Sequence, residues 1–569
     1  MKWKPKNYDT EEIKKYMNTL NVSNVMASVL IGLGIDLKTA RTLMNDPTDL
    51  FDVESSIYGL KEVASSLLKQ KERIIQIFAD YDVDGLSSGF ILNDYLKNIL
   101  NYDSNIYYPS REDGYGVNIN WAKDIVEKYD PDNLTVITVD NGITAHEPVQ
   151  ILRDAGAQVY IIDHHEPLDS LPDANCICDA WVDRGYGTHL CAAAVVWKLV
   201  LEMSVQNGDN HEQINDVMYA YLPYVALATI SDVMPSNLEN RAIMQAGLEA
   251  INQKQSSVLR SLMNAENINF MRSKDLAWTI APMLNACSRM NEIEMAEKLL
   301  NREGNYDEDI KTLASKIREI NRKRKMLTEK AVEEILKKSN FGNAPVVFAD
   351  GTNYPLGIIG ILAGKLCEIT WRPAIVYQVK GDIAEGSARS LPGIDIKEIV
   401  NYEAAKGNAI IALGHAEACG VQIIPSRIRE FNRDLLSSII SYTMINEPKE
   451  EIVLIDAVIS PSDISFKNKR ELDSFGYTSK DIPVLGLLDV EVKPRIWKTA
   501  SGKKHVIFEL PDSKYAVAWN GYDIYHHLGE PERMNFAGEL DNGAFCRYCK
   551  EVSITEHTTI FTISRMGKA

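Results

Sequence analysis

The chain has 569 residues, with 61 Lys and Arg against 79 Asp and Glu and a formal charge of −18; at roughly 150 residues per domain it should hold three to four domains. Hydrophobic residues at 45% and charged residues at 25% exclude a disordered or collagen-like chain, and no apolar run approaches the roughly 18 residues of a membrane span. The acidic surplus excludes non-specific coating of nucleic acid, but not a basic channel, because local field rather than net charge steers a ligand. The 8 Cys are scattered rather than framed as disulfides, and the charged N-terminus has no apolar signal core, so a reducing cytoplasm is the expected location.

Residues 1–70 mix polar and apolar positions at helical spacing and read as a small helical cap. Over 71–250, apolar runs alternate with helical segments: RIIQIFAD, LTVITVDNG and QVYIIDHH as strands, SSGFILNDYLKNIL and ITAHEPVQILRDAG as helices, then the apolar helices CAAAVVWKLVLEM and VMYAYLPYVALATISDVMP. Such alternation implies a parallel sheet with right-handed crossovers, whose ligands bind beyond the carboxyl ends of the strands. Residues 251–340 are helical and end in a long connecting helix. Its cluster Arg322, Lys323, Arg324 and Lys325 reads first as a solvated face and second as a basic wall along a nucleic-acid path. Residues 341–435 form a second α/β segment. Residues 450–569 carry regular short β-runs (EIVLIDAVI, LGLLDVEVK, KHVIFEL, YAVAWN, TTIFTIS) and suggest a small all-β barrel.

Carboxylates and histidines gather at the ends of the buried runs. Asp80, Asp82 and Asp84 follow the first strand, Asp140 closes the second, Asp163, His164 and His165 close the third, and Asp232 ends an apolar helix. Singly, each Asp suits a turn or a helix cap. Together, a parallel sheet brings them to one edge, where they repel strongly unless cations neutralise them. Oxygen ligands with imidazole suit Mg²⁺ or Mn²⁺, and a pair of such cations clamps a phosphate for in-line displacement. The DxDxDG run is not an EF-hand, since its twelfth position is Ile91.

DYDVDG, VDNG, DHH and SDV, in this order and spacing, resemble the four motifs of the DHH phosphoesterase superfamily. GIIGILAGKL, GSARSLPG and LGHAEACG resemble its DHH-associated domain, and APMLNACSRM with YYPSREDGYGVN resembles the RecJ-type exonucleases. The resemblance implies an α/β fold with a parallel-sheet DHH domain, a long connecting helix, a second α/β DHH-associated domain and a C-terminal OB-like barrel. It implies two divalent cations, Mn²⁺ before Mg²⁺, held by Asp82, Asp84, Asp140 (bridging), His164 and Asp232, with Asp80 as a further ligand. His165 and, from the second domain, His415 are expected at the scissile phosphate. Arg111, Asn285, Arg289, Ser387, Arg389 and Gly414 are expected along the DNA, where guanidinium forks hold phosphate oxygens.

Departures from the family pattern are Phe78 where many relatives outside the RecJ branch have His, Tyr354-Pro355-Leu356 for Trp-His-Pro, and Ser288-Arg289 for Gly-Arg. Tyr354 could still stack on a base. In the tail, Trp497 and Lys503 are the expected strand contacts of an OB-like groove. The implied function is 5′→3′ degradation of single-stranded DNA to 5′-mononucleotides in recombination or repair, by a monomer without membrane contact, with a single-strand-binding protein or a helicase as partner. The alternatives are a DHH phosphodiesterase for short oligoribonucleotides or cyclic dinucleotides, and a non-catalytic single-strand-binding replication factor.

Overall fold

The computed structural model describes residues 2–6, 8–51, 56–114, 116–338, 342, 344–407, 411–445, 452–498, 504–542 and 558–568. After the short strand β1 (Lys2–Pro5) come helices Thr10–Leu20, Asn24–Gly32 and Leu37–Asn45. Each starts on a side-chain cap: Asp9, Ser23 and Asp36 accept from backbone N–H groups of the first turn.

The first-lobe sheet is built from β2 (Ile74–Ala79), β3 (Ser104–Tyr107), β4 (Leu134–Val139), β5 (Gln158–Ile162) and β6 (Cys176–Cys178), all parallel, in the order β3–β2–β4–β5–β6. Every residue of β4 is buried. That is why these strands read as continuous apolar runs rather than alternating ones: helices cover both faces. On one face Phe78 packs with Tyr107 and Trp121, at ring separations of 5.5 and 4.7 Å. The other face belongs to a larger core that reaches from Tyr16 through the helices Ala192–Asn207, His211–Ser231 and Leu238–Asn252 to Met566 near the C-terminus.

A near-continuous helical stretch spans residues 273–289, interrupted by a π turn at Leu276–Ile280. It leads by way of Ile293–Leu300 to the 31-residue helix Glu308–Lys338, about 46 Å long at 1.5 Å per residue. The second lobe has β7 (Val347–Asp350), β8 (Ala374–Lys380), β9 (Ile383–Arg389), β10 (Ile411–His415) and β11 (Ala418–Ile423) in the order β10–β11–β9–β8–β7, parallel only between β7 and β8. Helix Leu356–Thr370 closes one face against the long helix, and Ile396–Ala405 with Ile428–Ile445 closes the other.

The C-terminal part comprises β12 (Ile452–Ile455), which pairs in parallel with β1, and a seven-stranded sheet. The sheet is made of β13 (Ala457–Val458), β14 (Leu485–Glu491), β15 (Lys493–Lys498), β16 (Lys504–Leu510), β17 (Lys514–Ala518), β18 (Arg533–Asn542) and β19 (Thr559–Lys568), ordered β13–β14–β18–β19–β17–β16–β15. Among the described residues β13 and β15 do not pair, so the sheet is open where the sequence suggested a barrel. The edge strand β15 explains this: Lys493, Pro494 and Arg495 lie on it, and proline and charge both discourage a further strand. The sheet is fastened to the first lobe through residues 473–482, where Arg241 Nε meets Asp481 Oδ2 at 2.8 Å and Ser479 Oγ donates to Ile230 O at 2.6 Å.

Phe78 stands in the three-ring cluster with Tyr107 and Trp121. Phe78→Ala should cost about 3–5 kcal/mol, read as a lower urea midpoint.

Candidate active site

The parallel sheet reverses its strand order between β2 and β4, and the crevice beyond such a switch point is the ligand site of open α/β sheets. The residues after both strands are held by turn chemistry. Asp82 caps helix Val83–Asp94, its Oδ1 accepting from Asp84 N at 2.9 Å and Gly85 N at 3.2 Å. A side chain at Gly85 would run into the Asp80 carbonyl. Asp140 has φ 61°, a left-handed conformation that Asp tolerates better than most residues. The turn is braced by Thr138 Oγ1 on Asn141 O and by Asn141 Nδ2 on Val139 O, both at 2.9 Å.

The carboxylates converge as the sequence implied. Ligand atoms of Asp80, Asp82 and Asp140 lie within 4.8 Å of one another, as do those of Asp84, His164 and Asp232, and those of Asp140, His164 and His165. The set of Asp140, His164 and His165 thus links the other two, sharing Asp140 with one and His164 with the other, and His164 Nε2 is 3.2 Å from Asp140 Oδ1. Asp84 receives backbone N–H bonds from Ala192 (2.8 Å) and Ala193 (2.7 Å) at the start of helix Ala192–Asn207. His164 Nδ1 faces Leu190 O at 3.2 Å, and donation there leaves Nε2 as the ligand atom.

Burial first, and mutual repulsion second, push Asp80 and Asp140 well above the ordinary carboxylate range. Burial, then the charges of Asp84 and Asp82, take Asp232 up to about 7 in spite of His164. Asp80 Oδ1 is buried with no hydrogen-bond partner. An oxygen-rich set with one imidazole and an orphaned buried oxygen fits hard divalent cations.

Asp163 is no ligand but a bracket. Its carboxylate accepts from the N–H groups of Ile143 (3.0 Å), His164 (2.8 Å) and His165 (3.3 Å), and its Oδ1 holds His165 Nδ1 at 2.7 Å. Burial disfavours the His165 proton, yet the bond to Asp163 and its charge outweigh that and lift His165 to about 9.

Beside this centre lies a concentration of positive charge. Arg111 stacks on Tyr81 at 4.1 Å and its Nε reaches Ser288 Oγ at 3.3 Å. Arg289 donates to Gly357 O at 3.0 Å, and a Cβ on Gly357 would come 2.5 Å from the Arg289 backbone. Burial, then the charges of Arg111, Arg324 and Arg389, lower Arg289 to about 9, with Asp82 acting against them. Arg389 donates to Ser387 Oγ at 2.6 Å, under Gly360, where a side chain would crowd both. Three guanidiniums crowding a fourth, with a hydroxyl beside Arg389, are an arrangement suited to an anion.

The family model described as DHH family, N-terminal domain, matches residues 74–229, and that of the DHHA1 domain matches residues 343–441. The single-stranded-DNA-specific exonuclease RecJ of Bacillus subtilis is 26% identical over 563 residues, covering 95% of this chain and 68% of that protein. A crystal structure of RecJ with Mn²⁺ from Thermus thermophilus superposes with TM-score 0.77 at 23% identity, over 100% of this chain and 80% of that one. A manganese-bound exonuclease RecJ structure covers 68% of this chain and 95% of its own, with TM-score 0.57 and 27% identity.

The chain is a RecJ-like member of the DHH superfamily.

Within this RecJ-like frame the remaining sequence-derived residues fall as follows. Asn285 is one helical turn before Arg289 and has a buried, partnerless Oδ1. Gly414 and His415 lie on β10, and the register His415–Ala418–Arg389 across β10, β11 and β9 sets His415 level with Arg389. The His415 and Trp497 side chains, and Lys503 altogether, lie outside the described residues. Tyr354 is partly buried: its ring packs on the second-lobe core and its hydroxyl donates to Glu334 Oε2 at 2.8 Å. Arg324 is the residue that motif reasoning missed. Of the basic cluster on the long helix, Arg322, Lys323 and Lys325 are exposed, and Arg324 alone turns inward, braced on Asn321 Oδ1 at 3.1 and 2.9 Å.

The His165 bond yields a pH prediction. Its folded value of about 9 lies above the ordinary 6.5, so the stabilisation is fully present below about 6.5 and lost as pH rises through about 9. In EDTA, His165→Gln should lower the urea midpoint at pH 6, and the difference from wild type should vanish by about pH 10.

Proposed function

We propose that this chain is a metal-dependent 5′→3′ exonuclease that degrades single-stranded DNA to 5′-mononucleotides. One observation carries the reading: a cation-demanding set of carboxylates directly adjoins a guanidinium seat for an anion. Asp82, Asp84, Asp140, His164 and Asp232, with Asp80, would hold two divalent cations, Mn²⁺ or Mg²⁺. When bound, these supply charge neutralisation at the phosphate and acidity to the attacking water.

The protein's own groups do the rest. Arg111, Arg289, Arg324, Ser387 and Arg389 hold the terminal 5′-phosphate, which fixes the position of the first phosphodiester and restricts cleavage to strand ends. Asn285, one helical turn before Arg289, contributes its side-chain amide N–H to the bound end. His165, kept protonated through its bond to Asp163, presents Nε2–H to a phosphate oxygen. His415 and Gly414 approach from the second lobe. The open C-terminal sheet acts as an OB-type surface for the trailing strand, with Trp497 and Lys503 as contacts.

The names of the relatives, single-stranded-DNA-specific exonucleases, support the substrate. That the proposed site is assembled from one chain supports a monomer, and among the described residues no helix is long and apolar enough to cross a membrane. A role in DNA recombination or repair in the cytoplasm follows from that activity, with a single-strand-binding protein or a helicase as supplier of free ends.

The deciding assay incubates the protein with 3′-labelled single-stranded DNA, with and without a 5′-phosphate, in Mn²⁺ or Mg²⁺. Progressive shortening, faster with the phosphate, is expected. Hydrolysis of di- and trinucleotides alone would move the protein to the short-oligonucleotide branch. Asp140→Ala should abolish turnover and leave strand binding intact; surviving activity would refute the metal assignment. Arg389→Met and Arg324→Met should each lower kcat/KM on 5′-phosphorylated DNA about 10-fold or more, the scale of a lost charge-assisted hydrogen bond, with little effect on unphosphorylated ends.

A further inference from the structure

Three of the ligand positions, Asp84, His164 and Asp232, come from separate elements: the helix after β2, the end of β5, and the C-cap of helix His211–Ser231. Nothing in those elements alone fixes their spacing. Segment 189–193 touches two of them: Leu190 O receives His164 Nδ1, and the N–H groups of Ala192 and Ala193 hold Asp84. The third stands shortly before Pro235. One buried side chain ties both segments together: Asn240 Nδ2 donates to His189 O at 2.7 Å and to Pro235 O at 2.9 Å.

Its neighbour Glu239 clamps the same region from the other side. Oε2 takes His189 Nε2 at 3.1 Å and the Tyr186 hydroxyl, while Oε1 takes Lys198 Nζ at 2.6 Å. Lys198 lies on the helix whose first N–H groups hold Asp84. Both Glu239 and Lys198 are buried. Burial would protonate the Glu239 carboxyl, but the bonds from His189, Lys198 and Tyr186 hold it down at about 2, so the clamp is ionic.

We propose that Glu239 and Asn240 are positioning residues of the candidate metal centre: they fix the spacing of His164, Asp84 and Asp232 without holding a cation or touching substrate. This rests on the metal-dependent reading above. Removing an outer partner of a metal site typically lowers metal affinity about 10–100-fold, and here one brace serves three ligands at once.

The test measures Mn²⁺ binding to the full chain without DNA, by the electron paramagnetic resonance signal of free Mn²⁺, for wild type, Asn240→Ala, His189→Ala and His189→Gln. Urea midpoints and single-strand binding are read in EDTA. The expected result is a loss of Mn²⁺ affinity of about 10-fold or more in Asn240→Ala and His189→Ala. His189→Gln, which returns an N–H toward Glu239, should recover most of it, and strand binding in EDTA should be unchanged throughout. Should Asn240→Ala not fold, the His189 pair carries the test, because His189 is partly exposed. Mn²⁺ affinity within about twofold of wild type in His189→Ala, whatever its stability, overturns the role of Glu239, and the same result in Asn240→Ala overturns that of Asn240. Absence of Mn²⁺ binding in wild type overturns the metal reading itself, which is a different result.

Discussion

Carboxylates crowded out of water at the carboxyl edge of a parallel sheet cannot all remain charged by themselves, and the rest of this molecule is arranged around that constraint. Asp80, Asp84 and Asp140 are each almost fully buried. Asp84 is partly satisfied by two helix N–H groups, but Asp80 keeps an oxygen with no partner at all. Burial of paired charge is weak evidence for stability and costs more than packed apolar residues would. Its persistence here is a functional expense, located where β2 and β4 part company and a crevice opens.

Beside the carboxylates stands the opposite sign, gathered from the first lobe, the connecting helices and the second lobe. Arg111, Arg324 and Arg389 press their charge on Arg289, and the two concentrations are near enough for Asp82 to act on it as well. In the proposed reading, a phosphate chain, anionic at every link, is the complement of both: its terminal group would neutralise the guanidiniums, and its first diester would share the cations with the aspartates. Two individually unfavourable clusters would thereby become a specificity for polyanions with an end, in a protein whose overall charge is −18.

Much of this was legible before folding. β2, β4 and β5 announce themselves as buried apolar runs, and the acid after each marks the sheet's edge; the Asp140–Asn141–Gly142 turn reads directly from its residue types. Less legible was what depends on distant register. Nothing local in KWKP says that β1 will pair with β12, about 450 residues later. Arg324 sits among equally basic neighbours, and only the orientation of the long helix separates it from them. Glu239 and Asn240 look like a helix start, and their hydrogen bonds to positions about 50 residues upstream appear only in three dimensions. Open or closed, the C-terminal sheet could not be told from strand counts, because closure depends on edge strands as much as on number.

The 31-residue helix Glu308–Lys338 has a consequence for how such chains can vary. Arg324 occupies its middle, and the second lobe with Ser387 and Arg389 hangs from its far end. Each added residue would turn that lobe by about 100° and shift it by about 1.5 Å, so even a one-residue insertion after Arg324 would swing Arg389 off the axis shared with Arg289. Adding two whole turns restores the phase but moves Arg389 outward by about 10 Å, beyond reach of the same phosphate. The number of residues in that helix is therefore as much a determinant of the site as the identity of any side chain, and natural changes in length should gather in the surface loops instead.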